Sequence, residues 1–445
     1  MSEGSEVTTP PAAPPTRSPI AEVMHTCVPA ATTSAVQLLV TVVITGLVGH
    51  MGGTALYVRS VYLPLSLILT AITTGIAVPL QVAVARSRHG KAIPPDQSAR
   101  IGSSARLAVL AFTVLAVLVA LAAAPLAALS SMPASLAPEL RHFSLLMVVA
   151  QLVGAIGELS AATLRGLGRA TLGTLVSITL AAVNVGLVAL IGLALSVGLD
   201  ALPIASALAG VVELALGAVL LTRCHVLRPP HLARWDPTMV PTTLQIGLPI
   251  AASFLVLFLN SVVMLHVVGA YGDRSTLEGF SSALTVQDLV TIPAVGFGSG
   301  IAVLVNARTG HRVSMLRHAF AVLVGTYAVI TIVVVAAAAA LVDLLLPAGA
   351  AAAHATHYLH VVGPSLGLTA IAIAALTTME EVGLGAWSVA LNLTFLVGVI
   401  AVGWIAVAAS GTLDGLYITI LVAGLIAGLL VPPFAYHKVA RLALP

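Results

Sequence analysis

The feature that most constrains this chain is a series of long apolar runs with almost nothing charged inside them. Twelve stretches of roughly 20 residues or more, enough to cross a bilayer as helices, lie near 20–49, 57–85, 101–129, 140–164, 171–197, 202–221, 244–270, 277–305, 319–346, 358–379, 386–408 and 415–431. The runs are continuously apolar rather than alternating, which predicts helices and not the strands of a barrel. Only 8% of the residues are charged, against about 25% in a soluble domain. So few charges cannot coat a surface that faces water. An all-α integral membrane fold follows.

Charge fixes the direction of the helices. If the N-terminus is cytoplasmic, sixteen of the nineteen Lys and Arg residues fall on the cytoplasmic side, and only Arg59, Arg141 and Arg274 fall outside. Every loop obeys the positive-inside rule. The C-terminus then returns to the cytoplasm, and a multi-pass protein of the cell membrane is expected. Net charge is only +3 and the basic residues sit in loops, so nucleic acid is not an expected partner. Two lone cysteines, Cys27 and Cys224, give no disulfide framework. Residues 1–19 are rich in Pro, Ser, Thr and Ala, lack an apolar core, and read as a disordered cytoplasmic tail rather than a cleaved signal.

The halves repeat. Pro29 and Pro249, the Val48-Gly49-x-x-Gly52 and Val268-Gly269-x-x-Gly272 turns, and Gly90 and Gly310 are each 220 residues apart. Leu164-Arg165-Gly166-Leu167-Gly168 aligns with Met379-Glu380-Glu381-Val382-Gly383 at an offset of 215. Two six-helix lobes related by a pseudo-two-fold axis are therefore expected: residues 20–221, then a basic, Pro-containing inter-lobe linker over 222–243, then 244–445. Repeats of this kind are typical of secondary transporters, with the substrate site between the halves.

On these residues the chain resembles the multidrug and toxic compound extrusion (MATE) transporters, within the superfamily that includes lipid-linked oligosaccharide flippases. The matching pieces are Pro29 with Val48-Gly49-His50-Met51-Gly52, Leu164 to Gly168, Gly247-Leu248-Pro249, and Gly296-Phe297 through Leu304-Val305 to Gly310. The resemblance implies export of a small lipophilic or cationic compound by antiport with H+ or Na+. It departs from the family pattern at Ile44, where many members carry an Asp, and at Val188, where a polar partner of Asn184 is usual. The family's acid in span 7 is also missing.

Site candidates come from the cost of polarity in hydrocarbon, at least about 2.5–3.5 kcal/mol for an ionisable group at the bilayer centre. Asp288, preceded by Gln287, lies near the midplane of span 8; a carboxylate that trades a proton for a cationic substrate is the simplest antiporter device. Glu213 in span 6 is the other acid at such depth and would stand in for the missing span 1 Asp. Glu158 lies nearer the cytoplasmic end of span 4 and is expected to pair with Arg165 or Arg169. Gln37, Asn184 and Asn260 are deep amides, suited to interhelical hydrogen bonds or to lining a cavity. An inter-lobe ion pair through Glu380 or Glu381 is a further expectation. His354, His357 and His360 read as a solvated loop and not a metal site; no metal and no cofactor beyond the coupling ion is expected.

Other classes fit less well. The loop Ala85 to Lys91 lacks the Asp that the major facilitator superfamily places between spans 2 and 3. A flippase for lipid-linked saccharides would carry cavity arginines for pyrophosphate, and none is expected at mid-depth. A membrane-embedded prenyl-transferring enzyme needs Asp-rich clusters for Mg²⁺, and an ATP-driven pump needs a nucleotide-binding Gly-rich run; neither motif is present. The expected partners are a small-molecule substrate and the lipid bilayer, with the chain acting as a monomer.

Overall fold

The computed structural model describes residues 18–51, 53–87, 97–129, 134–307, 312–345 and 349–441. Ser18 caps the first helix, its hydroxyl accepting from the Ala21 amide at 3.3 Å, with Pro19 at the position where a missing N–H costs nothing. The long helices are α1 Pro19–Gly49, α2 Gly53–Arg86, α3 Gln97–Leu129, α4 Ala137–Gly166, α5 Ala170–Leu187, α6 Ala201–Arg223, α7 Leu248–Tyr271, α8 Arg274–Ala307, α9 Arg312–Ala336, α10 Ala350–Met379, α11 Gly385–Ser410 and α12 Asp414–Arg441. Among the described residues, eleven helical stretches are long and apolar enough to cross a bilayer. The stretch Ala350–Ser410 is α10 and α11 back to back, reversed at Gly383 (φ 99°), which makes twelve. The expected all-α membrane fold is borne out.

The repeat is visible in the packing. In the first half α2 packs on α4, α4 on α6, α1 on α5, and α5 on α6; in the second half α8 packs on α10, α10 on α12, α7 on α11, and α11 on α12. Each pair recurs six helices later. The two lobes meet through α1 on α8 and, by the same symmetry, α2 on α7. The 215-residue offset marks a shared turn: Gly168 (φ 72°) ends the α4 turn and Gly383 the α10 turn, both in the left-handed region that suits glycine. Gly52, Gly90 and Gly310, and residues 1–17 of the expected tail, lie outside the described residues.

Several boundaries differ from expectation. The three histidines are helical, not looped, because α10 begins at Ala350, eight residues before the apolar run at 358. His357 bonds Asp414 at the start of α12 (2.7 Å), and His354 lies 3.4 Å from the Thr276 hydroxyl. The ninth span breaks at Ala337 and resumes as a short helix, Ala338–Leu345. The last helix runs ten residues past its apolar run, through Pro432 and Pro433 to Arg441. There Lys438 sits over the Trp387 ring at 4.3 Å, a cation–π contact that ties α12 to α11.

The segment 222–243 is docked rather than loose. The Ser98 hydroxyl donates to the Val226 carbonyl (2.7 Å) and accepts from the Arg228 amide (2.8 Å). Arg106 reaches the Leu232 and Ala233 carbonyls at 2.9 and 2.7 Å, and Arg100 pairs with Asp236 at 3.2 Å. A Cβ on Gly102 would lie 2.1 Å from the Leu232 carbonyl oxygen, so the strap needs glycine there. Burial pushes the Asp236 carboxyl up, but hydrogen bonds from Thr238 and the Arg100 guanidinium outweigh it and hold it below its ordinary value. A depressed carboxyl contributes stability that is complete above the unfolded value and is lost as pH falls through the folded one. Thermal melts should therefore show stability falling on acidification below about pH 4, and Asp236→Asn should lower the neutral-pH melting temperature while flattening that slope. An unchanged slope would remove the clasp from the account.

Candidate functional site between the lobes

The helix ends carrying the linker and the α2–α3, α4–α5, α8–α9 and α10–α11 connections form one face, here called the basic face. Inter-lobe contact concentrates on its side. Gly75 of α2 meets Gly247, where a Cβ would lie 1.9 Å from the Gly75 carbonyl oxygen. The π-helical turn Thr243–Gly247 at the head of α7 brings that glycine in. A Cβ on Gly296 would lie 2.4 Å from the Ala30 carbonyl oxygen, and one on Gly300 2.7 Å from Cys27 Cα. Val23 and Cys27 are fully buried in the core of the second lobe, whereas Ile44 and Val48, farther along the same helix, belong to the core of the first. Helix α1 thus leaves one lobe for the other, and Pro29, which cannot donate to the His25 carbonyl, stands near the change. The Pro29 carbonyl accepts from Thr174 of α5 at 2.8 Å.

A polar latch sits on the same side. Arg86 donates Nε to Asn306 Oδ1 (3.0 Å) and Nη2 to the Val382 carbonyl (3.4 Å). Gln81 donates Nε2 to Ser299 (2.8 Å) and to Glu381 Oε2 (3.5 Å), while its amide oxygen accepts from Arg165 Nε (2.9 Å). Arg165 also pairs with Glu158, as expected. Glu381 therefore crosses the lobe boundary through Gln81. Glu380 turns back into its own lobe, accepting from Ser253 at 2.5 Å and Ser388 at 2.8 Å. The hydrogen bonds from Arg86 and Gln81 to the second lobe all lie on the basic face, and they close that side of the lobe boundary.

Asp288 stands beyond the latch. It is eleven residues, about three helical turns, from Ser299; on an unbroken helix the two would share a face to within about 20° at 100° per residue. Ser299 faces α2 of the other lobe, and Asp288 lies some 16 Å nearer the opposite face by the helical rise, with Pro293 between the two. Its side chain is exposed and, among the described residues, has no hydrogen-bond or ion-pair partner. Gln287 points instead into its lobe, where its amide oxygen accepts from the Tyr358 hydroxyl at 2.7 Å. Tyr358 packs edge-on against Phe280 and Tyr417, with centroids 5.3 and 5.0 Å away.

The other candidates scatter. Glu213 is fully buried inside the first lobe, against Gly157 and beside Glu158 and Arg165. It belongs to that cluster and makes no contact with Asp288. Asn184 accepts from Ser206 at 3.4 Å. Asn260 is half-buried and Gln37 exposed; neither side chain has a hydrogen-bond partner among the described residues. No group of three His, Cys, Asp or Glu residues able to hold a metal occurs among the described residues. The latch residues Gln81, Arg86, Ser299 and Asn306 were not singled out from sequence. The signal existed: Arg86 and Asn306 are separated by 220 residues, the repeat offset itself.

Residues 29–190 match the MatE family model. A mutant of the Vibrio cholerae MATE transporter VcmN superposes with a TM-score of 0.85 over 95% of this chain and 97% of that one, at 16% identity. This chain has the MATE fold. A second neighbour with that fold is a multidrug resistance MATE family transporter of the MOP superfamily in its outward-facing conformation, with a TM-score of 0.84 at 18% identity, covering 96% of this chain and 97% of that one. A third is a MOP superfamily transporter from Pyrococcus furiosus, described as having a binding pocket of reverse polarity; its TM-score is 0.85 at 16% identity, covering 96% and 98%. No curated protein matches the sequence. The resemblance read from Pro29, the Val-Gly-x-x-Gly turn and the Gly168 turn is borne out in the fold, and the chain is a multi-pass membrane protein.

Proposed function

We propose that this protein is a secondary active transporter that exports small lipophilic or cationic compounds in exchange for H+ or Na+, with its basic face in the cytoplasm. The reading rests on one observation: Asp288 is an exposed carboxylate without a partner among the described residues, about three turns along α8 from a latch that joins the lobes on one side. A sealed inner end with a charged, accessible outer cleft is one half of an alternating-access cycle. A charge left exposed there can exchange a small cation for a cationic substrate, since either occupant neutralises it and both together would not be held. The multidrug resistance neighbour in its outward-facing conformation supports the same reading, as does the bias of the basic loops.

The test is efflux of a panel of lipophilic cationic dyes from cells that make the protein. Steady-state dye content should fall below that of cells carrying an empty vector, and a protonophore together with a Na+ ionophore should restore it. Efflux that survives collapse of both gradients would overturn gradient coupling.

A further inference from the structure

Arg59 is expected from sequence on the outer side, at the start of span 2; in the structure it is 6% exposed, on α2 with its guanidinium reaching α1. Tyr62, three residues on and therefore on the same helical face, is 5% exposed. Its ring packs edge-on against Phe143 of α4, centroids 5.1 Å apart. The guanidinium makes one long hydrogen bond, Nη2 to the Thr41 carbonyl at 3.5 Å. Among the described residues, Arg59 Nη1 and the Tyr62 hydroxyl have no partner at all.

Among the described residues, no acid pairs with the charge. Helix α1 has one acid, Glu22, at its far end, and α2 has none. Of the two acids on α4, Glu139 is exposed and Glu158 is paired with Arg165. Tyr62 belongs to a buried apolar cluster that includes Ile44, Val58 and Phe143. A guanidinium in such surroundings is costly unless an opposite charge joins it. A buried water would satisfy a hydrogen bond but not the charge.

We infer that Arg59 and Tyr62 form an anion site inside the first lobe, and that its ligand is a small carboxylate carrying an apolar group. Two free donors on one helix face match the two oxygens of a carboxylate, the anion that guanidinium binds with paired hydrogen bonds. A single buried cation matches one negative charge; a dianionic phosphate would bring a second charge with no counterpart. The apolar cluster around Tyr62 suits a ring or a short chain. The inference stands on the first lobe alone and does not rest on Asp288 or on coupling.

The test uses the purified full chain in detergent, with benzoate as probe and benzamide and benzylamine as neutral and cationic controls. Calorimetry should show saturable benzoate binding at neutral pH, with neither control competing. Arg59→Gln should weaken binding at least about tenfold, as expected for loss of a charge-assisted pair. Tyr62→Phe removes only the hydroxyl, preserves the ring contact with Phe143, and should weaken binding several-fold. If Arg59→Gln does not fold, Arg59→Lys replaces it: the charge remains, the paired geometry is lost, and binding should still weaken. Absence of benzoate binding to the unaltered protein, equal binding by the controls, or unchanged affinity in Tyr62→Phe and the folded Arg59 variant would each overturn the proposal.

Discussion

Asp288→Asn is expected to reduce gradient-driven transport in proteoliposomes to the level of empty vesicles while leaving expression, elution and melting temperature nearly unchanged. The carboxylate has no partner to strand, so its removal leaves no buried group unsatisfied. What it removes is the charge that a cation must displace. Asp288→Glu should retain part of the rate, because the charge stays on the same face one methylene farther out. Glu213→Gln is the informative contrast. Glu213 is sealed between α6 and α4, so its neutralisation should leave at least half of the coupled rate. Equal loss in the Glu213 and Asp288 variants would place the coupling charge in the first lobe instead.

The second large effect is expected at Gln81. This buried amide accepts from Arg165 on its own lobe and donates to Ser299 and Glu381 on the other. Gln81→Leu strands the Arg165 Nε and leaves the buried Glu381 carboxylate with Ser299 alone when the lobes are together, at about 1–3 kcal/mol for an unsatisfied buried group. When the lobes separate on that side, water reaches both groups and the penalty disappears. The cost therefore falls on the sealed state alone. About 3 kcal/mol shifts the equilibrium between the two states by roughly 100-fold. Gly247→Leu acts through shape: even its Cβ would lie 1.9 Å from the Gly75 carbonyl oxygen, so no larger side chain fits, and the lobes must part.

Much of this fold was legible because hydrocarbon imposes a simple rule: a chain segment that crosses it must be apolar and helical. The twelve runs followed from that rule, and the repeat from residues 220 apart in the two halves. The ends of the helices did not. His354, His357 and His360 interrupt the apolar run without interrupting the helix, since a histidine at a solvated helix end costs little. The site was legible in part. Asp288 stood out because it is isolated in a long apolar stretch, and in the structure it is exposed and unpartnered among the described residues. Glu213 stood out for the same reason but is enclosed within one lobe; depth along a helix says nothing about which way a side chain faces. Arg86 and Asn306 were missed because each lies at the end of a run, where a polar residue is unremarked. Their meeting is a property of the pseudo-two-fold axis, on which equivalent positions of the two halves face each other. Arg59 was placed on the outer side at the start of span 2 by charge counting alone, and nothing in its local sequence announces its burial.

The most direct test of the account is thiol accessibility at two depths. Cys27 is fully buried in the inner lobe contact, against Gly300, and serves as a native reporter once Cys224 is replaced by serine. In that background Cys27 should resist a membrane-permeant maleimide. In the Gln81→Leu variant its labelling rate should rise by about two orders of magnitude, following the shift in equilibrium. An Asp288→Cys variant lacking both native thiols should label readily with an impermeant reagent added from outside. Rapid labelling of Cys27 in the otherwise unaltered protein, together with protection of the position 288 thiol from outside, would contradict a cleft sealed at the latch and open beyond it.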